Sequence, residues 1–138
     1  MKEYQRKIHY YETDKMGVAH HSNYIRWFEE SRVDLLDQSG FGFARLEEMG
    51  ILSPVLGVRA NYKKMLRFGE TITVVPSVVR FTGIKFTLSY EVKNQAGELC
   101  CTGETDHCFL GVDGKPMRLK DRFPEVYAFM QNLANKGE

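Results

Sequence analysis

The stretch from residue 10 to residue 30, YYETDKMGVAHHSNYIRWFEE, decides the fold, because a polar loop changes within it into a strongly apolar helix. From Tyr24 onward, apolar residues recur at helical spacing and cover about half of the circumference, more than the stripe of a surface helix. Gly40 is placed to end this helix. So broad an apolar arc is expected to be wrapped by other elements. The arc consists of Tyr24, Ile25, Trp27, Phe28, Ser31, Leu35 and Leu36.

Strand periodicity replaces helical periodicity in the second half of the chain. Between residues 84 and 93, apolar and polar side chains alternate, as in a strand with one buried face. Pro76 interrupts a similar alternation and indicates a sheet edge or a bulge. Four long strands are predicted, at residues 55–66, 70–81, 84–93 and 98–112. Shorter elements are predicted at residues 4–10 (strand), 43–49 (helix) and 122–135 (helix).

These elements predict a single α+β domain, residues 1–138. One domain is the expectation for a chain of 138 residues, which is long enough to bury a core. The simplest packing folds a curved antiparallel sheet around the long central helix. Because such a sheet has open edges, we expect them to be covered or paired with another subunit.

Charge and composition narrow the function classes. The chain has 19 basic and 18 acidic side chains and a formal net charge of +1. This balance creates no field that attracts nucleic acid or an anionic membrane surface, so neither is an expected partner. The N-terminal heptad MKEYQRK is charged, and no later apolar run is long enough to span a bilayer. We therefore expect a cytoplasmic protein without membrane insertion.

The chain has three cysteines. Cys100, Cys101 and Cys108 lie close together in the sequence, but their number is odd and they form no CxxC pair. This pattern disfavours a disulfide framework and a zinc site. Free cysteine is among the most buried residue types, so we expect buried thiols.

A carboxylate, a glycine-containing turn and two histidines precede the helix. Asp14 lies seven residues before His21, and Gly17 allows the loop between them to bend back over the helix start. The free N–H groups of a helix N-terminus suit a developing oxyanion. A carboxylate beside such a site is a minimal centre for acyl hydrolysis, in which the aspartate acts as nucleophile or base.

Structural roles compete with this catalytic interpretation. Asp14 could serve only to accept hydrogen bonds from backbone donors of its own loop. His20 and His21 could be hydrogen-bonded to the loop, and Ser22 or Asn23 is the expected N-cap. A metal site is disfavoured, because Asp14 and the two histidines lack further ligands at suitable spacing.

The same stretch resembles the N-terminal signature of the 4-hydroxybenzoyl-CoA thioesterase family of hotdog-fold proteins. That signature has a tyrosine four residues before the key aspartate, an Asp-x-x-Gly turn, a histidine seven residues after the aspartate and a tyrosine three residues further on. An aromatic-aromatic-Glu helix with an arginine follows. In this chain these residues are Tyr10, Asp14, Gly17, His21, Tyr24, Trp27, Phe28, Glu29 and Arg32.

The resemblance implies a hotdog fold that forms dimers with a continuous sheet, usually a dimer of dimers. It implies hydrolysis of an acyl-CoA thioester at the dimer interface, without a metal or an organic cofactor. Asp14 takes the position of the catalytic carboxylate, as nucleophile or as base for water. The backbone N–H of His21 takes the position that polarises the thioester carbonyl. Tyr10, Gly17 and Tyr24 are then expected around the substrate.

Basic side chains are needed to bind the phosphates of CoA. Arg59 and Lys63 are candidates near one strand end, and Lys85 is a candidate on what is expected to be a neighbouring strand. Exposed strands also carry lysine for solubility, which is the competing explanation. Two further cations lie close in sequence, Lys64 and Arg67.

Arg32 projects onto the apolar arc of the helix. A buried guanidinium requires a carboxylate or several carbonyl oxygens as partners. We therefore expect Arg32 to form a structural ion pair.

Other functions are open to the same fold. A hotdog dehydratase needs a different arrangement of histidine and acid from the one in this loop. A non-catalytic acyl-thioester-binding protein could use the same pocket as a sensor, but it has no use for a nucleophilic carboxylate beside an oxyanion site. Asp14 therefore discriminates between enzyme and sensor. The carrier of the acyl group, CoA or an acyl carrier protein, stays open, because histidine at position 21 also occurs in relatives that act on acyl-carrier-protein thioesters.

Overall fold

In a computed structural model that describes residues 3–136, one long helix lies against a five-stranded antiparallel sheet. Residues 1, 2, 137 and 138 of the expected domain, including the first two of the charged heptad, lie outside the described residues. The strands are β1 (Tyr4–Lys7), β2 (Val55–Tyr62), β3 (Thr71–Phe81), β4 (Lys85–Lys93) and β5 (Leu99–Cys108). The helices are α1 (Ser22–Gln38), α2 (Phe43–Glu48), α3 (Leu119–Arg122) and α4 (Pro124–Lys136).

The sheet has the strand order β1-β3-β4-β5-β2, so β2 forms one edge and the short β1 the other. β1 pairs only with the first residues of β3, where Tyr4 lies opposite Val74. Pro76 therefore lies on a part of β3 that β1 leaves uncovered, and the pairing of β3 with β4 shifts register between Val78 and Arg80. The edge expected at Pro76 is confirmed within the described residues, since β3 pairs there with β4 alone.

The face of α1 that carries Trp27 and Phe28 packs on the sheet. Trp27 and Phe28 are fully buried, and the Phe28 ring stacks on Tyr90 of β4 with 4.5 Å between ring centroids. Opposite Phe28 on β5 stands Gly103, where an added Cβ atom would lie 2.4 Å from the ring. A residue without a side chain is thus required for the helix to approach the sheet this closely.

Two details of the predicted elements are wrong. Ile25 was expected on the apolar arc, but it is 43% exposed because it lies outside the face that meets the sheet. The strand expected at residues 4–10 ends at Lys7, since Tyr10–Glu12 form a 3-10 turn closed by the N–H of Thr13 donating to the Tyr10 carbonyl (3.1 Å). The other predicted helices and strands lie where periodicity placed them, with their ends shifted by up to four residues, whereas α3 was not predicted.

The last helix, α4, packs against β3. Its buried residues are Val126, Met130 and Leu133. All three cysteines are buried free thiols, as expected. Within residues 3–136, no helix has both the length and the apolar character that crossing a membrane requires.

Candidate active site

Asp14 stands at the beginning of a tight loop that folds back on itself. The Asp14 N–H donates to the Val18 carbonyl (3.0 Å), and the Gly17 N–H donates to the Asp14 carbonyl (3.0 Å). Thr13 and Ala19 form an antiparallel bridge at the base of the loop. Gly17 has φ of +76°, a left-handed conformation that glycine adopts without steric penalty. The geometry is that of a three-residue hairpin loop, whose bend Gly17 allows.

The Asp14 carboxylate is exposed, and one of its oxygens is unused. Oδ1 accepts a hydrogen bond from the Met16 N–H (2.8 Å), which is the loop-stabilising role that aspartate commonly has in turns. Oδ2 accepts no hydrogen bond from the described residues. The side chain therefore combines a structural contact with an oxygen that is available to a ligand.

The N-terminus of α1 presents an unused amide. The Asn23 N–H donates to the His20 carbonyl (3.0 Å), and the Tyr24 N–H donates to the His21 carbonyl (3.3 Å). The His21 N–H, by contrast, finds no acceptor among residues 3–136. Because it lies at the positive end of the helix dipole, this N–H suits a developing oxyanion.

The N-cap predicted at Ser22 or Asn23 is wrong, because His21 occupies the N-cap position and makes no side-chain cap. Instead, Nδ1 of His20 accepts from the Ser22 N–H (3.2 Å), which requires that nitrogen to be unprotonated. The Asn23 amide donates outward to the carbonyl oxygens of Glu12 (2.8 Å) and His20 (3.3 Å). His20 and Asn23 therefore hold the helix start against the loop.

An open cleft connects the Asp14 loop, the start of α1 and the end of β2. The Tyr62 hydroxyl donates to the His21 carbonyl (3.3 Å), and its ring meets Tyr24 edge-on at 5.0 Å. Burial raises the pKa of both tyrosines, which keeps their phenols neutral. The cleft is lined by Val18, Ala19, His21, Tyr24, Tyr62, Lys63, Lys64 and Met65.

The residues expected around the substrate are only partly brought together. Tyr24 lines the cleft, and Gly17 lies in the loop whose next two residues also line it. Tyr10 lies in the 3-10 turn before the loop, is 76% exposed and meets Phe68 edge-on at 5.7 Å. Its position leaves the ring free to contact another molecule.

The candidate cations near β2 differ in their availability. Lys63 lines the cleft and forms no ion pair with a described residue. Arg59 lies on the outer face of the sheet and forms ion pairs with Glu104 and with Asp106 (3.1 Å). Lys64 also lines the cleft but is paired with Glu98. Among the described residues that line the cleft, Lys63 is therefore the unpaired cation, whereas the Arg59 guanidinium is already neutralised.

Lys85 was expected on a strand beside β2, and this expectation is wrong. Lys85 lies on β4, and β5 lies between β2 and β4. Lys85 pairs with Cys108 of β5, whereas the Lys63 N–H donates to the Cys100 carbonyl. Eight residues of one strand correspond to about 27 Å. Within one chain, Lys85 is thus remote from the cleft.

Two residues of the site were missed by sequence reasoning. Tyr62 shares the inner side of the sheet edge with Ala60, and the strand alternation carried that signal. Glu12 is 3% exposed and accepts hydrogen bonds from Arg6 and Trp27. Glu12 also accepts from the N–H of His9, three residues before it, but Arg6 and Trp27 come from β1 and α1, and no local spacing identifies them as its partners.

Arg32 is buried as expected, but its ion pair is weak. The nearest carboxylate oxygen, of the exposed Glu29, lies 3.9 Å from Nη2. The guanidinium lies 4.6 Å from the centroid of the Phe43 ring, and Nη1 has no hydrogen-bond partner in the described part of the chain. Burial lowers the pKa of Arg32 accordingly.

No group of three or more histidine, cysteine, aspartate or glutamate residues within residues 3–136 is arranged to hold a metal ion. His20 Nδ1 accepts from Ser22 and Asp14 Oδ1 accepts from Met16. Asp14 Oδ2 and the His21 imidazole form no hydrogen bond with a described residue.

The sequence and the structure of this chain are similar to those of known thioesterases. A model of the thioesterase-like superfamily matches residues 8–132. YneP of Bacillus subtilis, to which acyl-CoA thioesterase activity is attributed, is 35% identical over 120 residues, covering 86% of this chain and 87% of that protein. The crystal structure of a DHNA-CoA thioesterase from Staphylococcus aureus is 38% identical, with a TM-score of 0.88 over 99% of this chain and 94% of that one. A 1,4-dihydroxy-2-naphthoyl-CoA hydrolase of Thermosynechococcus vestitus is 27% identical over 111 residues, 80% of this chain and 76% of that protein.

The helix wrapped by an antiparallel sheet and the loop at its N-terminus define a hotdog-fold thioester hydrolase, which confirms the expected fold and reaction class. The chain belongs to the thioesterase-like superfamily.

Proposed function

We propose that this chain is an acyl-CoA thioesterase of the 4-hydroxybenzoyl-CoA thioesterase type, with Asp14 as its catalytic carboxylate. One observation carries the proposal. The free Oδ2 of Asp14 and the free N–H of His21 lie at the two ends of a single short loop–helix unit. A carboxylate and an unpaired helix amide are the two groups that thioester hydrolysis needs.

The reaction follows from these two groups. The thioester carbonyl oxygen accepts a hydrogen bond from the His21 N–H, which stabilises the oxyanion when the carbonyl carbon becomes tetrahedral. As a base, Asp14 takes a proton from water while the water oxygen bonds to that carbon. The intermediate then breaks its C–S bond, and the CoA thiolate leaves and takes up a proton. As a nucleophile, Asp14 instead bonds to the carbon directly, and the C–S bond breaks to release the CoA thiolate. Water then cleaves the resulting anhydride into the free acid and the Asp14 carboxylate.

The two roles of Asp14 are distinguished by a single turnover in water labelled with ¹⁸O. A general base places the label in the free acid and leaves the Asp14 carboxylate unlabelled. A nucleophile gives label in Asp14, because water can attack the aspartyl carbon of the anhydride. Mass spectrometry of the peptide that contains Asp14 measures this.

The cleft beside His21 is the proposed place for the thioester end of CoA. Tyr24 and Tyr62 provide an aromatic wall whose phenols stay neutral, and Lys63 provides the free ammonium for a phosphate. Arg59 and Lys85, from the same set of candidate cations, would contact CoA only through another copy of the chain, since both lie away from this cleft.

We propose that the chain works in the cytoplasm as a homo-oligomer, a dimer or a dimer of dimers. β2 ends the strand order, so within the described residues its outer edge has no strand partner. This edge also carries exposed apolar side chains, Val55, Leu56 and Val58. An edge of this kind is usually paired with another chain. The three free buried thiols agree with a reducing compartment.

A panel of acyl-CoA thioesters with detection of the free thiol tests the function. 1,4-Dihydroxy-2-naphthoyl-CoA is the first substrate to include, since two of the relatives described above act on it by name. Benzoyl, short-chain and long-chain acyl-CoA and one acyl-carrier-protein thioester complete the panel. Turnover of a CoA thioester supports the proposal, and binding without turnover of every member contradicts it.

A further inference from the structure

The buried Glu12 carboxylate accepts hydrogen bonds from residues of three elements. Its Oε1 accepts from Nη1 of Arg6 on β1 (2.7 Å) and from the His9 N–H at the 3-10 turn (2.8 Å). Its Oε2 accepts from Nη1 of Arg6 (3.0 Å) and from Nε1 of Trp27 on α1 (2.9 Å). The side chain thus joins β1, the 3-10 turn and the central helix at one point.

The backbone carbonyl of Glu12 binds the segment that leads from the Asp14 loop into α1. It accepts from the His20 N–H (2.8 Å) and from the side-chain amide of Asn23 (2.8 Å), which saturates its two lone pairs. Glu12 is two residues before Asp14, and its carbonyl binds the residue just before His21. One residue therefore ties both ends of the loop to the helix start.

The charge of Glu12 is maintained by its surroundings. Burial alone would raise the pKa of Glu12, but the hydrogen bonds from Arg6, from the His9 N–H and from Trp27 outweigh it and hold the pKa below the usual range. Arg6 is shared with Glu30, which its Nε contacts at 2.9 Å. A paired, fully hydrogen-bonded ion of this kind is strongly destabilised when one partner is removed.

We infer that Glu12 is the positioning residue of the active site, which fixes the Asp14 loop against the His21 amide. This inference rests on the proposed function, since it assumes that Asp14 and the His21 amide act together on the thioester. Glu12 has no free oxygen lone pair directed at the cleft, so it acts through the loop and not on the substrate. A misplacement of about 1 Å between reacting groups can lower a rate by about a hundredfold.

The test is Glu12→Gln, measured by steady-state kinetics. The amide keeps one acceptor oxygen but loses the second and the charge, so the loop should lose its fixed position. We expect kcat to fall by about ten- to a hundredfold and KM to change by less than about threefold, because the residues that line the cleft are unaltered. Equal kcat for variant and wild type would overturn the inference.

Glu30→Gln is the matched control. It removes the same charge beside the same arginine, but within residues 3–136 the Glu30 carboxylate forms polar contacts only with Arg6 and the Tyr4 hydroxyl (2.6 Å) and none with the loop. We expect its kcat to stay within about twofold of wild type. If Glu30→Gln loses as much kcat as Glu12→Gln, the effect is a general loss of the ion pair and the positioning role is overturned.

A third variant separates this inference from the proposed function. In an Asp14→Asn background, Glu12→Gln should cause no further loss of kcat, because a positioning residue acts through the group it positions. An additional tenfold loss would show that Glu12 acts independently and overturn the inference alone. Full turnover by Asp14→Asn itself would instead contradict the proposed function. Should Glu12→Gln not fold, Glu12→Asp, which keeps the charge but shortens the reach, is judged by the same criteria.

Discussion

Replacing Gly103 with alanine is expected to disturb the contact between α1 and the sheet. A Cβ atom at this position lies 2.4 Å from the Cε2 and Cζ atoms of Phe28 and 2.8 Å from the carbonyl oxygen of Arg59. Atoms at these distances overlap, so something must shift. The Arg59 oxygen belongs to the backbone of β2, and the Phe28 ring is stacked on Tyr90 with 13° between the ring planes. Neither neighbour can move without disturbing the core.

The size of the effect follows from these contacts. Adding a methyl group to a well-packed core typically costs about 1–3 kcal/mol. Because one of the overlaps involves backbone, we expect the free energy of unfolding to fall by about 2–3 kcal/mol, the upper part of that range. For a chain of this length, the unfolding entropy is about 290 cal/mol/K, so the Tm should fall by about 7–10 °C.

Thermal and urea unfolding at one fixed protein concentration measure this loss, since association makes the Tm depend on concentration. Gly57→Ala is the matched control on β2, where the nearest atom is the movable Oδ2 of Asp106 at 3.4 Å. Its free energy of unfolding should change by less than about 0.5 kcal/mol. Phe28→Leu should recover part of the loss in the Gly103→Ala background, because the smaller side chain frees the space. Equal stability of Gly103→Ala and Gly57→Ala would refute the proposed packing of α1 on β5.

Other changes have smaller but distinct outcomes. His21→Ala keeps the backbone amide, and we expect kcat to fall by about ten- to a hundredfold in steady-state assays, less than for Asp14→Asn; an equal loss in a folded variant would make the imidazole a primary catalyst. Arg32→Met removes a buried guanidinium with an unpartnered Nη1, so urea unfolding should show unchanged or higher stability, by up to about 2 kcal/mol; a loss of that size contradicts the expectation. Burial, followed by the charge of Arg32, lowers the pKa of His107 to about 4 from its ordinary 6.5. The folded state therefore excludes the proton, and the free energy of unfolding should fall by up to about 3 kcal/mol between about pH 6.5 and pH 4. His107→Gln should flatten that part of the profile, and an unchanged slope would count against the burial of a neutral imidazole.

The fold could be predicted from the sequence because its two periodicities are strong. The alternation in residues 84–93 and the apolar arc of α1 determine which faces are buried, and both depend only on local order in the sequence. The ends of the helices and strands were harder to predict, since they depend on tertiary contacts. Ile25 illustrates the limit. Its helical position places it on one flank of the arc, but the sheet covers the Trp27 and Phe28 side and leaves Ile25 exposed.

The candidate site could be predicted only where it is contiguous in the chain. Asp14, Gly17 and His21 belong to one short segment, and the structure keeps them in one loop–helix unit. Glu12 was missed because Arg6 and Trp27, which bind its carboxylate, come from other elements. Tyr62 was missed because the strand alternation gives the face of its side chain but not its position beside His21. The capping by His20 was missed for another reason: an imidazole is an uncommon acceptor at a helix start, where serine and asparagine usually serve.

The rate of Asp14→Asn tests the central claim most directly. The asparagine oxygen can still accept from the Met16 N–H, so the loop should keep its shape while the free carboxylate oxygen is lost. Asp113→Asn is the matched control, because Asp113 Oδ1 accepts from the Lys115 N–H (3.0 Å) in the same way on another loop. We predict that kcat for the best acyl-CoA substrate falls by at least about a hundredfold for Asp14→Asn and stays unchanged for Asp113→Asn. Near-normal turnover by a folded Asp14→Asn protein would contradict the assignment of Asp14 as the catalytic carboxylate.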